Sequence, residues 1–267
     1  MAGRAETAMI TGASAGIGAT YADRLAMRGY DLILVARDET RLKALASKLR
    51  AKSGARIDVL RADLTDRADL ARAEHRLKAD PAVTLLINNA GAAGGGGFET
   101  PDVDAIEQII ALNVTAVTRL GAAAASNFAA GSGGSIVNIA SVLAYSPERS
   151  SGIYSATKAF VINFSRSLQL ELGAKGVYVQ IVAPAATATE IWARSGTDVS
   201  RLPPGTVMRV EDLVDAALVG FDRKELFTFP SLPDESQWEA FEAARLAMAP
   251  NFRSERPAER YLARMAR

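Results

Sequence analysis

Thr7-Ala8-Met9-Ile10-Thr11-Gly12-Ala13-Ser14-Ala15-Gly16-Ile17-Gly18, near the start of a 267-residue chain, holds its clearest local signal. A short, mostly apolar run ends in three glycines spaced G-x-x-x-G-x-G, and the helix-patterned stretch Ala19–Arg28 follows directly. Strand, tight turn and helix in that order open a βαβ unit. Glycines there let backbone N–H groups approach a pyrophosphate closely and let the helix pack tightly on the strand, while the helix N-terminus favours the anion. The spacing differs from the G-x-G-x-x-G of the common dinucleotide fingerprint. Gly12, Ser14, Ala15, Gly16, Ile17 and Gly18 are candidate cofactor-binding residues.

Outward from this turn, short apolar runs alternate with amphipathic stretches. The strand-like runs are Thr7–Thr11, Asp31–Ala36, Arg56–Arg61, Val83–Asn88, Gly134–Ala140, Val177–Ala183 and Glu225–Phe229. Helical spacing marks Glu39–Ala51, Asp66–Ala79, Val103–Phe128, Gly152–Gly173 and a last helix near Asp234–Met248. Runs that are apolar throughout imply a sheet covered on both faces, and the alternation implies right-handed crossovers and parallel strands. The fold class is α/β: a single doubly wound domain over residues 1–267, with a seven-stranded parallel sheet flanked by helices. Residues 184–205 lack periodicity and read as a substrate lid, and residues 250–267 read as a charged C-terminal tail.

Composition narrows the chemistry. There is no cysteine and one histidine, His75, which excludes thiolate nucleophiles, Cys-based zinc sites and multi-His metal sites. The expected metal set is empty. A net charge of +1 gives no general attraction to nucleic acid or anionic lipid. No run approaches about 18 uninterrupted apolar residues, so no membrane partner is expected. The N-terminus is too short and polar before its glycine turn to read as a signal peptide, so a cytoplasmic protein is expected. Gly12-Ala13-Ser14-Ala15-Gly16 also fits G-x-S-x-G, the nucleophile elbow of α/β-hydrolases. That serine needs a late-chain histidine, and His75 lies on a charged helix surface instead.

The second strand ends in Ala36-Arg37-Asp38, where an acid would favour NAD through the ribose 2′-hydroxyl. A guanidinium favours a 2′-phosphate through paired, charge-assisted hydrogen bonds, so Arg37 points to NADP over NAD. Tyr154 and Lys158 stand four apart in Tyr-Ser-Ala-Thr-Lys and share a helix face. A lysine beside a phenol lowers the tyrosine pKa and suits it to acid–base work on a carbonyl or alcohol. Ser141, just past the fifth strand, is placed to hold a substrate oxygen.

Taken with Asn88-Asn89-Ala90-Gly91 after the fourth strand and Asn113 between them, these motifs resemble the short-chain dehydrogenase/reductase family over about residues 6–230. The resemblance implies a Rossmann fold. It also implies an NADP(H)-dependent oxidoreductase moving a hydride between nicotinamide and a carbonyl or secondary alcohol. Tyr154 becomes the acid/base, Ser141 the carbonyl orienter, Lys158 the ribose binder and pKa modifier, and Asn113 part of a water-linked proton relay. Asp63 and Leu64 fall near adenine, Asn89, Ala90 and Gly91 beside the adenosine ribose, and Pro184, Thr187 and Thr189 at the nicotinamide. Where the family has Pro-Gly, this chain has Pro184-Ala185, which would be strained if that position required a positive φ. Leu143, Tyr145, Ile191 and Trp192 line the expected crevice mouth and suggest a neutral or hydrophobic substrate. The Ala-rich stretch Val114–Ala130 suits close helix packing, which in related enzymes often builds a homodimer or homotetramer. A catalytically inactive nucleotide-binding regulatory protein of the same fold is the alternative, but it has little need for Asn113, Ser141, Tyr154 and Lys158 together.

Overall fold

The computed structural model describes residues 6–94, 99–131, 133–149, 152–191 and 202–262. Seven strands form one parallel sheet: β1 (Thr7–Thr11), β2 (Asp31–Ala36), β3 (Ile57–Arg61), β4 (Val83–Asn88), β5 (Gly134–Ile139), β6 (Val177–Val182) and β7 (Phe227–Thr228). Their order is β3-β2-β1-β4-β5-β6-β7, so the direction of winding reverses beside β1, and ligand crevices open at such a point. Most strand ends agree with the sequence reading to within a residue. β7 is only two residues long, Phe227 and Thr228, held to β6 by the Leu226 and Thr228 carbonyls, which accept from the Ile181 and Ala183 N–H groups at 2.8 and 2.9 Å.

Strand periodicity explains the unbroken apolar runs. In β1, Ala8 and Ile10 join one buried cluster and Met9 the other; in β2, Leu32 and Leu34 oppose Ile33 and Val35. Successive side chains face opposite sides, so both faces must be apolar when both are covered. The first layer includes α1 (Gly16–Met27), α2 (Glu39–Ser53) and the late helix described below; the second includes α3 (Arg67–Ala79) and the long segment after β4.

That long segment departs from the expected single helix Val103–Phe128. It is α4 (Val103–Ile110), a π-helical stretch at Ala111–Ala116, and α5 (Val117–Ala130). A π stretch inserts an extra residue into the helical turn and re-aims the side chains on it, a device common at functional sites. Asn113 sits inside it, fully buried. By length and composition residues 103–130 would pass as a membrane span, but half of that window is buried in the fold. The small residues of α5 pack within the chain: a Cβ on Gly121 would lie 2.8 Å from the Phe164 ring.

Next come α6 (Gly152–Leu172), which carries Tyr154 and Lys158, and α7 (Val210–Asp222). The chain groups into two units, Met1–Pro230 and Ser231–Arg267. The second contains α8 (Glu235–Ala247), capped by Asp234, and the short α9 (Glu259–Leu262). None of its described side chains is buried; Trp238 stacks on Phe241 with centroids 5.4 Å apart.

Candidate active site

Every sequence-predicted site residue except Trp192, which lies outside the described residues, falls at or just beyond the carboxyl ends of β1, β2, β3, β4, β5 and β6, or on the helices packed there. The glycine turn follows β1. Gly12 (φ +64°) and Gly16 (φ +54°) take left-handed backbone, and a Cβ on Gly18 would meet the Gly12 carbonyl at 2.4 Å. Thus two glycines shape the turn and the third lets α1 start directly on it. The helix begins at Gly16, three residues earlier than its periodicity suggested. Thr11 and Asn89 lock the turn to β4. The Thr11 hydroxyl accepts from the Asn89 and Ala90 N–H groups, both at 3.0 Å, while Asn89 Nδ2 donates to the Thr11 carbonyl at 2.8 Å.

The donor set of this turn fits a dinucleotide pyrophosphate. α2, α3, α4 and α8 are each capped by an aspartate side chain, whereas α1, preceded by Ala15, has no side-chain cap and no acid in its first turn. Its first N–H groups are therefore available to an anion. At the adjacent strand ends, Arg37 is 63 % exposed, 3.8 Å from the Asp63 carboxylate. Burial works to raise the Asp63 carboxyl, but the Thr65 hydroxyl and N–H, with Arg37 and Arg61, outweigh it and hold it below the usual range. Leu64 beside it is buried.

Across the turn lie the candidate catalytic groups. Ser141 is buried at the end of β5, its hydroxyl accepting from the Leu143 N–H at 3.2 Å and acting to lower the Tyr154 phenol. Lys158, one helical turn beyond Tyr154, is 5 % exposed; its Nζ donates to the Ile139 carbonyl at 2.7 Å and lies 5.7 Å from the Tyr154 ring centroid. Burial pushes the phenol up to about 12, with the Ser141 hydrogen bond pulling the other way, and pushes the Lys158 ammonium down to about 8. The expected lowering of the tyrosine by Lys158 is therefore not what this geometry gives. The ammonium is turned to a carbonyl, and desolvation dominates the phenol.

Asn113 donates to the Ala92 carbonyl (2.8 Å) and to the Thr157 hydroxyl (3.0 Å), and accepts from the Ala92 N–H (2.9 Å). Thr157 in turn donates to the Tyr154 carbonyl at 2.8 Å. Gly91 faces this cluster: a Cβ there would lie 3.3 Å from Asn113 Oδ1 and 3.5 Å from Lys158 Nζ. Thr157 was not among the sequence candidates. Its place inside Tyr-Ser-Ala-Thr-Lys was a usable signal, but its partner is 44 residues away.

After β6, Ala185 carries no left-handed strain, since among the described residues Lys224 is the only non-glycine with positive φ. The Pro184 carbonyl accepts from Val142 N–H at 3.0 Å. Thr187 is buried, donates to the Ala185 carbonyl at 3.0 Å, and forms an isolated bridge with Met208. Thr189 faces the glycine turn, its methyl 3.4 Å from where a Gly16 Cβ would be. Of the expected crevice mouth, Leu143 is half-buried, its N–H bound to Ser141 and its carbonyl to Ser155. Tyr145 packs on Phe229, centroids 5.9 Å apart. Of the lid expected at 184–205, residues 192–201 lie outside the described residues. His75 is exposed on α3, so the serine of the glycine turn has no histidine base in reach of this crevice.

Residues 6–200 match the short chain dehydrogenase family. A short-chain dehydrogenase from Sphingobium yanoikuyae, solved in complex with NADPH, is similar at 54% identity and TM-score 0.93, covering 95% of this chain and 98% of that one. A bulky-bulky ketone specific alcohol dehydrogenase from Comamonas testosteroni is similar at 50% identity and TM-score 0.89, over 96% and 98% of the two chains. The 2,5-dichloro-2,5-cyclohexadiene-1,4-diol dehydrogenase of Sphingobium indicum shares 31% identity over 240 residues, 87% of this chain and 96% of the relative.

Proposed function

The chain belongs to the short-chain dehydrogenase family, and on that premise we propose that it is an NADP(H)-dependent reductase of ketones and oxidant of the matching secondary alcohols, with Tyr154 as acid/base. The observation that carries this reading is the convergence of Ser141, Tyr154 and Lys158 at the end of β5, with Asn113 tied to the same helix through Thr157. The glycine turn would hold the pyrophosphate, Arg37 the 2′-phosphate, and Lys158 the nicotinamide ribose. When bound, the nicotinamide supplies the two-electron donor or acceptor for the substrate carbon.

The protein side of the reaction follows from the local groups. Tyr154 keeps its proton at neutral pH, so in reduction its phenol gives that proton to the carbonyl oxygen as the oxygen gains negative charge. Ser141 donates to the same oxygen and orients it. In oxidation the proton returns from the alcohol to Tyr154. Lys158, while protonated, stabilises the phenolate left behind.

A bulky, neutral ketone is the substrate class proposed. Leu143 and the Tyr145–Phe229 pair, together with the specificity named for the Comamonas enzyme, support it. A homo-oligomeric assembly is proposed too, supported by the exposed apolar Val103, Ile110 and Phe160 on α4 and α6. The test is turnover of a panel of small and bulky ketones and alcohols, in both directions, with NADPH and NADH. NADPH-dependent reduction of the bulky ketones is expected; turnover of no carbonyl or alcohol with either nucleotide would overturn the reading.

A further inference from the structure

One side-chain contact joins the two lips of the crevice. Thr189 passes over the glycine turn, and the next residue, Glu190, reaches the other lip: Arg41 Nη1 donates to both of its carboxylate oxygens, at 2.8 and 2.9 Å. The partners are 149 residues apart in sequence. Arg41 belongs to the first turn of α2, just past Arg37. Asp38 steers it, lying 3.4 Å from the guanidinium Nε and accepting the Arg41 backbone N–H at 2.9 Å. On the other side the root of the loop is pinned. Ala188 N–H donates to the Met208 carbonyl and Met208 N–H to the Ala186 carbonyl, both at 2.9 Å. The contact thus joins two segments that are each held by hydrogen bonds of their own.

We infer that the Arg41–Glu190 pair is a strap over the nucleotide crevice that governs how fast nucleotide leaves. The inference rests on the nucleotide-binding reading above. Both side chains are half-exposed, so the pair adds little to the stability of the fold and is weakened by salt. A contact of that strength suits repeated opening. It closes the gap between the α2 lip and the loop carrying Thr189, so a dinucleotide seated on the turn leaves through it. Neither residue needs to touch the reacting atoms; both are positioning residues.

Stopped-flow release of NADPH and of NADH from the full-length protein tests this, on wild type, Glu190→Gln, Arg41→Gln and the swapped pair Arg41→Glu with Glu190→Arg. Release of both nucleotides should quicken about two- to fivefold in each single variant. The wild type should approach the single variants in high salt, and the swap should recover slow release. Unchanged release in both single variants overturns the strap alone. Faster loss of NADPH only, in Arg41→Gln only and without recovery in the swap, overturns it in favour of Arg41 as a phosphate ligand. A wild type that binds neither nucleotide overturns the strap together with the reading beneath it.

Discussion

At the ends of β1 and β2 the crevice is built from backbone: a glycine turn, the uncapped start of α1 and one exposed guanidinium, Arg37. At the ends of β4 and β5 it is built from buried side chains, with Asn113, Ser141 and Lys158 all buried and linked through Thr157 or backbone carbonyls. Beneath them a second buried ladder ties the sheet to α6: Asn88 donates to Asn138 at 2.9 Å, and Asn138 to Ser165 at 2.8 Å. An anion needs a ring of N–H donors, which the backbone provides once the glycines Gly12, Gly16 and Gly18 allow the turn. Moving a proton at one atom needs fixed side chains whose rotamers are locked from several elements. Changes in the first region should therefore alter which nucleotide binds, and changes in the second how fast chemistry runs.

The largest expected separation comes from Lys158→Met. Turnover should drop about 10²- to 10⁴-fold, because the phenolate loses its neighbouring charge. The fold should gain stability. Burial lowers Lys158 from 10.5 to about 8, a penalty on the order of 3 kcal/mol. The sign follows from proton counting: between about pH 8 and 10.5 the unfolded chain holds a proton that the folded chain has released. Stability therefore rises with pH across that window, and the full penalty applies below it. Thermal melts at pH 7 should show the variant several degrees above wild type; an unchanged or lower Tm contradicts the cost assigned to the buried ammonium. In the wild type, reductive kcat/KM for NADPH should fall above about pH 8 as Lys158 loses its proton while Tyr154 keeps its own.

Arg37→Asp should act on the other region alone. NADPH affinity should weaken about tenfold, modest because the side chain is exposed, while NADH affinity stays within about twofold. Equal losses in titrations with both nucleotides would remove Arg37 as the discriminator. The smallest effect expected is that of Thr157→Val, which takes one partner from Asn113 Nδ2 and so costs about 1–3 kcal/mol of stability and a few-fold in kcat. Thr157→Ser keeps the hydroxyl and should recover both. If Val and Ser behave alike in kcat, the hydroxyl does not position Asn113.

The same contrast explains what could be read before the structure. The glycine turn, Arg37 and most strands of the sheet are local features, carried by spacing and by short apolar runs. The Tyr154–Lys158 pair is also local, being one helical turn. What escaped the sequence is relational. The π stretch at Ala111–Ala116 interrupts an apolar pattern that looks continuous, and it carries Asn113, whose partners Ala92 and Thr157 lie 21 and 44 residues away. The raised Tyr154 phenol reflects burial by neighbours from several elements, which outweighs the nearby lysine. Arg41 and Glu190 stand 149 residues apart in sequence, and only the fold brings them together.

Tyr154→Phe measures the division of labour most directly. It deletes the transferable proton and leaves the ring, α6 and the glycine turn in place. Single-turnover reduction of a bulky ketone at saturating NADPH, with NADPH affinity measured on the same sample, should show the chemical step slowed at least about 10²-fold and the Kd within about twofold of wild type. Near-normal turnover, or a loss of NADPH affinity matching the loss of rate, would contradict the assignment of the proton to Tyr154.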